Sequence, residues 1–241
     1  MSATPSPTTS SLVRGFVACL PVAASVGAYG AVLGVLAQAK GMAWTTLLSM
    51  NLLVFAGSAQ FVMVDMWIQP LPLLAMAAAV AAINLRYLLV GASLRPLFSG
   101  KGLRHKVLRM HLVADENWAV TMAADRRGEA DTGYLLGGGV CVQLFWSAGT
   151  MTGLFFGAVV EDPSAWALDF AFTAVFTALA VGLWRGRPDW LPWVCAGGVA
   201  IVGERLLPGK WYILAGALAG ALAAAFQPER GILRARAARR P

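Results

Sequence analysis

Long apolar runs separated by short polar intervals dominate this chain. Uncharged residues extend from Gly15 to Ala39, from Gly41 to Val64, from Met66 to Leu85 and from Thr132 to Val160. Each run reaches the ~20 residues that a helix needs to cross a hydrocarbon layer ~30 Å thick. The pattern predicts seven spans, at about 13–37, 43–65, 70–92, 134–159, 165–184, 190–206 and 211–226. The expected fold is an all-α membrane protein, a polytopic helical bundle forming a single transmembrane domain over residues 1–241. Its expected parts are a polar tail (1–12), a first three-helix half (13–92), a basic loop (93–133), a second half (134–226) and a basic tail (227–241).

One stretch resists assignment as a span. Residues 107–124 are mostly apolar but include Arg109, His111, Asp115, Glu116 and Asn117. Such a segment is expected to lie at the cytoplasmic side of the bundle, or to dip into it as a re-entrant helix, because charged groups in lipid are costly.

Composition narrows the class further. Of 241 residues 58% are hydrophobic and only 13% charged, against about 25% charged in soluble domains. The net charge of +7 does not imply nucleic acid, because the basic residues flank the spans instead of interleaving with aromatics. They gather between Arg95 and Arg127, at Arg185 and Arg187, and from Arg230 to Arg240. With the N-terminus outside and the C-terminus inside, fifteen Lys and Arg fall inside and three (Arg14, Arg205, Lys210) outside, Arg86 being within a span. The positive-inside rule favours that arrangement. Cys19, Cys141 and Cys195 are scattered through apolar runs and suggest neither a metal site nor a disulfide framework.

A candidate inverted repeat aligns Phe55–Phe61 with Phe170–Phe176, three spans apart. Inverted repeats with a site at their interface recur in transporters. The polar residues of the first copy are absent from the second, which assigns any substrate chemistry to the first half.

The chemistry-bearing residues form a short set. Gly57 and Ser58 lie in a small-residue patch that serves either close helix packing or a local break exposing backbone to a solute. Gln60 at that depth needs partners, from a solute or a neighbouring helix. Asn84, Arg86 and Tyr87 stand in the inner half of the third span. Arg86 either snorkels to the headgroups or holds a carboxylate in bidentate fashion. Asp115 and Glu116 are candidates for a structural counter-ion to Arg86, or for carrying a proton or meeting an ammonium group. Gly15, Pro21, Gly27, Gly30 and Gly34 make the first span a kinked, closely packed helix. No His-Glu-x-x-His pair and no Gly-x-Ser-x-Gly elbow occurs, so an enzyme is not expected. No cofactor is expected either.

The ordered set Gly15, Pro21, Gly27, Gly30, Phe-Ala-Gly-Ser-Ala-Gln-Phe (55–61), Asn-Leu-Arg-Tyr (84–87) and Asp-Glu (115–116) resembles the AzlC family. These are the large subunits of two-component branched-chain amino acid exporters. The resemblance covers roughly Arg14 to Phe226 and is most specific in the two central motifs. It implies export of valine, leucine, isoleucine and sometimes methionine from the bacterial cytoplasm across the inner membrane, with a small AzlD-type membrane partner. The residues it carries over are Ala56, Gly57, Ser58, Gln60, Asn84, Arg86, Tyr87, Asp115 and Glu116. A transporter or channel for another small solute, and a non-transporting scaffold subunit, are the alternative readings.

Overall fold

The computed structural model describes residues 9–157, 186–207 and 211–227, together with positions 177, 181 and 184. Among these residues the chain is helical and no strand occurs. The helices are α1 (Thr9–Ala39), α2 (Trp44–Leu53), α3 (Gly57–Asp65), α4 (Leu73–Asn84), α5 (Arg86–Leu94), α6 (Leu103–His111), α7 (Asp115–Asp125), α8 (Thr132–Gly157), α9 (Trp190–Leu206) and α10 (Trp211–Ala225). Among the described residues three helical runs are long and apolar enough to cross a membrane: Ser11–Ala39, Leu73–Phe98 and Thr132–Gly157. The predicted span 165–184 and the second copy of the candidate repeat, 170–176, lie outside the described residues.

The chain divides into two compact units, residues 1–67 with 84–172, and residues 68–83 with 173–241. In the second unit α9 and α10 form an antiparallel hairpin. Gly216 and Gly220 of α10 face Ala196 of α9, and Gln227 Nε2 donates to Pro188 O at 2.8 Å. Trp184 and Trp193 meet edge to face, with centroids 5.0 Å apart.

The first unit is organised around α1 and α8, which run parallel. At their starting ends the Ser11 hydroxyl donates to Asp131, and Gly15 faces Tyr134. Further along, Gly27 meets Gly149, Ala31 meets Gly153 and Val35 meets Gly157. The backbones approach so closely that a Cβ on Gly153 would sit 1.9 Å from Ala31 O, and one on Gly137 1.9 Å from Leu12 O. Glycine at these positions is a requirement of close approach, as in helix pairs that associate through small residues. Asp131 caps α8 by accepting from the Gly133 and Tyr134 amides, both at 2.8 Å. Burial pushes its carboxyl pKa up, but the Ser11 hydroxyl, these two amides and Arg14 outweigh it and hold the group below its ordinary value.

Two helical hairpins insert into this frame from opposite ends. The predicted span 43–65 is not one crossing: α2 ends at Leu53, Val54–Ala56 leave the helix with Ala56 extended, and α3 turns back. Lys40 Nζ, at the far end of α1, donates to Asp65 O at 3.1 Å, so α3 returns to the end from which α2 departed. The second hairpin is α6 and α7. It starts beside the head of α8, where His105 lies 3.2 Å from Thr132 Oγ1 and Arg109 Nε donates to Thr132 O at 3.0 Å. Its turn reaches the tip of the first hairpin, where His111 Nε2 donates to Leu52 O at 2.8 Å. It then runs back, and Arg14 of α1 reaches Glu129 O at 3.4 Å.

These hairpins bear on the expected order of ends. With span 43–65 read as a crossing, the N-terminus and the basic loop 95–127 fell on opposite sides. In the structure Arg14 and that loop share one end of the α1–α8 pair, because the first hairpin turns back and does not traverse. The segment 107–124, expected as one helix lying at the cytoplasmic side or dipping into it, is two helices, α6 and α7, joined through Leu112–Ala114.

Gly153→Ala is expected to destabilise the purified protein by about 1–3 kcal/mol, the usual cost of overpacking. Gly91→Ala, whose added Cβ meets only the flexible Met110 methyl at 3.8 Å, is expected to be tolerated. Thermal unfolding in detergent compares the two, and equal melting temperatures would contradict the close α1–α8 contact.

Candidate functional site

Ending a helix inside an apolar body leaves up to four carbonyls or amides without partners. In the first hairpin side chains supply those partners. Gln60 is fully buried, and its Nε2 donates to Met50 O at 3.1 Å and to Val54 O at 2.5 Å. Its Oε1 accepts from Trp146 Nε1 of α8 at 2.7 Å. Gln143 Nε2 donates to Asn51 O at 3.1 Å, and His111 reaches Leu52 O. The last turn of α2 is thus capped by α3, α6 and α8 together. Gln60 finds its partners within the protein and spends its amide on the tip.

Gly57, at the start of α3, packs against the Trp146 ring, which a Cβ would meet at 3.1 Å. Ser58 follows it in the first turn and turns its hydroxyl towards Arg86.

The tip of the second hairpin is finished by Asn117, also fully buried. Its Oδ1 accepts from the Ala114 amide at 2.7 Å, the reach-back half of a capping box. Its Nδ2 donates to Leu112 O and to Leu135 O, each at 3.1 Å, pinning the tip to α8. Asp115 and Glu116 then occupy the first turn of α7, where the helix dipole favours negative charge.

Arg86 joins the two tips. It opens α5 just after the break between α4 and α5 at Leu85. Its Nη1 donates to Asp115 Oδ2 at 2.5 Å and its Nη2 to Ser58 Oγ at 2.7 Å. The guanidinium also lies 5.4 Å from the centroid of the Tyr87 ring, a cation–π distance. Three helix starts therefore converge on one cation: Ser58 from α3, Asp115 from α7 and Arg86 from α5. An apolar cluster of Val90, Leu94, Phe98, Val113 and Leu135 fixes α5 against the second hairpin, and Trp118 Nε1 donates to Ser93 Oγ at 2.8 Å.

This junction is not sealed. The Arg86 and Asp115 side chains are 32% and 42% exposed, and exposed ion pairs contribute little net stability. Arg86 Nε and Asn84 Oδ1 are nevertheless buried and have no partner among the described residues. One is a donor and the other an acceptor, two residues apart at a single helix break. Glu116 is partly buried beside them; its carboxylate accepts from its own backbone amide and forms no ion pair among the described residues. The structure thus brings together Ser58, Arg86, Tyr87 and Asp115 of the residues singled out in the sequence, with Asn84 and Glu116 adjoining by chain position. Asn51, Gln143, Trp146 and Asn117 carry the tips and were not anticipated; the only signal they left was polarity inside apolar runs.

Comparison with known proteins agrees with the sequence motifs. Residues 21–160 match the sequence model of the family described as AzlC protein. The chain is 23% identical over 201 residues to the branched-chain amino acid transport protein AzlC of Bacillus subtilis (strain 168), covering 83% of this chain and 78% of that protein. No solved structure matches the chain.

The capping role of Gln60 leads to a direct expectation. Gln60→Leu strands the buried Trp146 Nε1, at roughly 1–3 kcal/mol, and leaves Val54 O with the Ala56 amide alone. A lowered melting temperature in detergent is the expected result; an unchanged one would mean that the tip does not depend on this amide.

Proposed function

The chain belongs to the AzlC family, and on that footing we propose that it is the large subunit of an inner-membrane exporter for branched-chain or similar hydrophobic amino acids. It works with a small AzlD-type membrane partner and draws on the proton gradient or the membrane potential. The observation that carries the substrate reading is the complementary pair of unpartnered atoms at the α4–α5 break, Arg86 Nε and Asn84 Oδ1. A zwitterionic amino acid offers a carboxylate to the donor and an ammonium to the acceptor.

The surrounding groups extend both halves of that match. Ser58 and the first-turn amides of α3, which no helix satisfies internally, add donors on the carboxylate side. Asp115, with Glu116 beside it, adds acceptors on the ammonium side. As substrate enters, its carboxylate takes the place of Asp115 on the guanidinium while its ammonium turns to Asp115. One ion pair becomes two, so no charge is stranded in a medium where a stranded charge is costly. Broken helices that present their ends to a charged substrate near the middle of the bilayer are a recurrent transporter device. Gln60, Gly57 and Trp146 act on the substrate only indirectly, by shaping the tip that carries Ser58.

The shared end of Arg14 and the loop 95–127 supports a cytoplasmic N-terminus. The three runs of helix long enough to cross and the three later predicted spans then give six crossings and a cytoplasmic C-terminus. Arg14 moves inside and Lys40 outside, and the bias remains fifteen to three, as the positive-inside rule requires.

Efflux from cells loaded with branched-chain dipeptides tests the substrate role, with the chain and its small partner expressed together. Arg86→Ala is expected to lower initial efflux at least about tenfold, equivalent to about 1.4 kcal/mol, while still reaching the membrane. Normal efflux in that variant would end the carboxylate assignment. Loss of the protein from the membrane, with normal flux per remaining molecule, would instead favour the scaffold reading. Topology is tested in a background without native cysteine. Cysteine at Lys101 is expected to resist an impermeant thiol reagent added outside, and cysteine at the exposed Lys40 to react. Protection at Lys40 would restore the N-out arrangement.

A further inference from the structure

Two of the three remaining unpartnered oxygens, the third being Thr121 Oγ1, point to a second site. Among the described residues, buried Asn51 Oδ1 and Gln143 Oε1 lack partners, and both belong to one network at the end of α2. Gln143 Nε2 donates to Asn51 O and to Ser147 Oγ, each at 3.1 Å, which fixes the amide so that its oxygen is the free atom. Asn51 Nδ2 donates to Thr150 Oγ1 at 2.6 Å. The Thr150 proton goes to Ser147 O at 3.0 Å, so it is unavailable to Asn51 Oδ1. Asn51 and Thr150 are fully buried. The network therefore leaves two side-chain oxygens without a donor among the described residues.

We propose that these oxygens, with the Thr150 hydroxyl oxygen, form a binding site for a monovalent alkali cation. The chemistry favours a single positive charge. No Asp or Glu lies on α1, α2 or α8, so nothing in the immediate frame balances a divalent ion, which seeks carboxylates. The C-terminal end of a helix carries partial negative charge, and half-helix C-termini in membranes recurrently hold sodium. Occupancy would tie the end of α2 to the middle of α8 and so stiffen the tip that presents Ser58 to Arg86. The site shares no residue with the substrate reading and stands or falls separately from it.

Thermal unfolding of the full-length protein in detergent tests it, in sodium, potassium and choline chloride at equal ionic strength. The expected result is a saturable rise in melting temperature with one or both alkali cations and none with choline. The rise should be lost in Gln143→Leu. In Asn51→Asp, which keeps the shape and adds a charge beside the ion, the half-saturating concentration should fall about tenfold. Should Gln143→Leu fail to fold, Asn51→Asp decides alone. Equal melting temperatures in all three salts would mean that only a buried water fills the place and would overturn the proposal. An alkali-specific rise left unchanged by Asn51→Asp would overturn it too.

Discussion

A helix that stops inside an apolar body must have its open backbone groups satisfied by the protein, since no water is there to do it. The first unit is built around that constraint. Two hairpins and a broken span all stop within it, and each stop recruits partners from elsewhere. The end of α2 draws on Gln60, Gln143 and His111 from three other helices. The turn before α7 draws on Asn117, which also reaches α8. Capping in this molecule is therefore tertiary structure, and the caps hold the hairpins in place.

The close contact of α1 with α8 makes this arrangement available. Glycines at the contact bring the backbones together, and a Cβ at Gly34 or Gly149 would fall about as close to backbone oxygen as one at Gly153. Polar side chains of α8 are thereby held at the depth of the hairpin tips. Trp146 shows the economy of the design: its ring packs on Gly57 and its indole N–H holds Gln60. A loosened α1–α8 pair would lower the tip carrying Ser58 out of register with Arg86.

Arg86 differs from the capping residues in being incompletely spent. Asn117 and Gln60 use their amide groups within the protein, whereas Arg86 keeps a buried Nε unpaired and shares its other nitrogens with groups on two separate hairpins. A residue whose role was only to glue helices would be better served by full satisfaction, because unsatisfied buried donors cost stability. The sequence raised the choice between a clamp and a structural counter-ion. The geometry gives Arg86 the ion pair with Asp115 and also leaves it a free edge, on which the proposed substrate role rests.

Much was legible beforehand. Helical class and the long apolar runs of α1 and α8 follow from composition and periodicity, and Arg86 and Asp115 stand out through the cost of charge in apolar surroundings, whereas Ser58 and Tyr87 were marked by a small-residue patch and by the family motifs. The direction of the chain through residues 43–65 does not. Two half-helices with a turn contain the same apolar residues as one crossing, and exchanging Arg14 for Lys40 leaves the charge bias at fifteen to three either way. Hydropathy and charge counting are both blind to that reversal. Only the contact of Lys40 with Asp65, and the parallel course of α1 and α8, decide it. The sequence thus determined which residues are costly to bury and therefore need a purpose. The tertiary structure decided which of them pay one another off and which remain open, because a hydrogen bond between residues about ninety positions apart, such as Trp146 to Gln60, leaves no local trace in the chain.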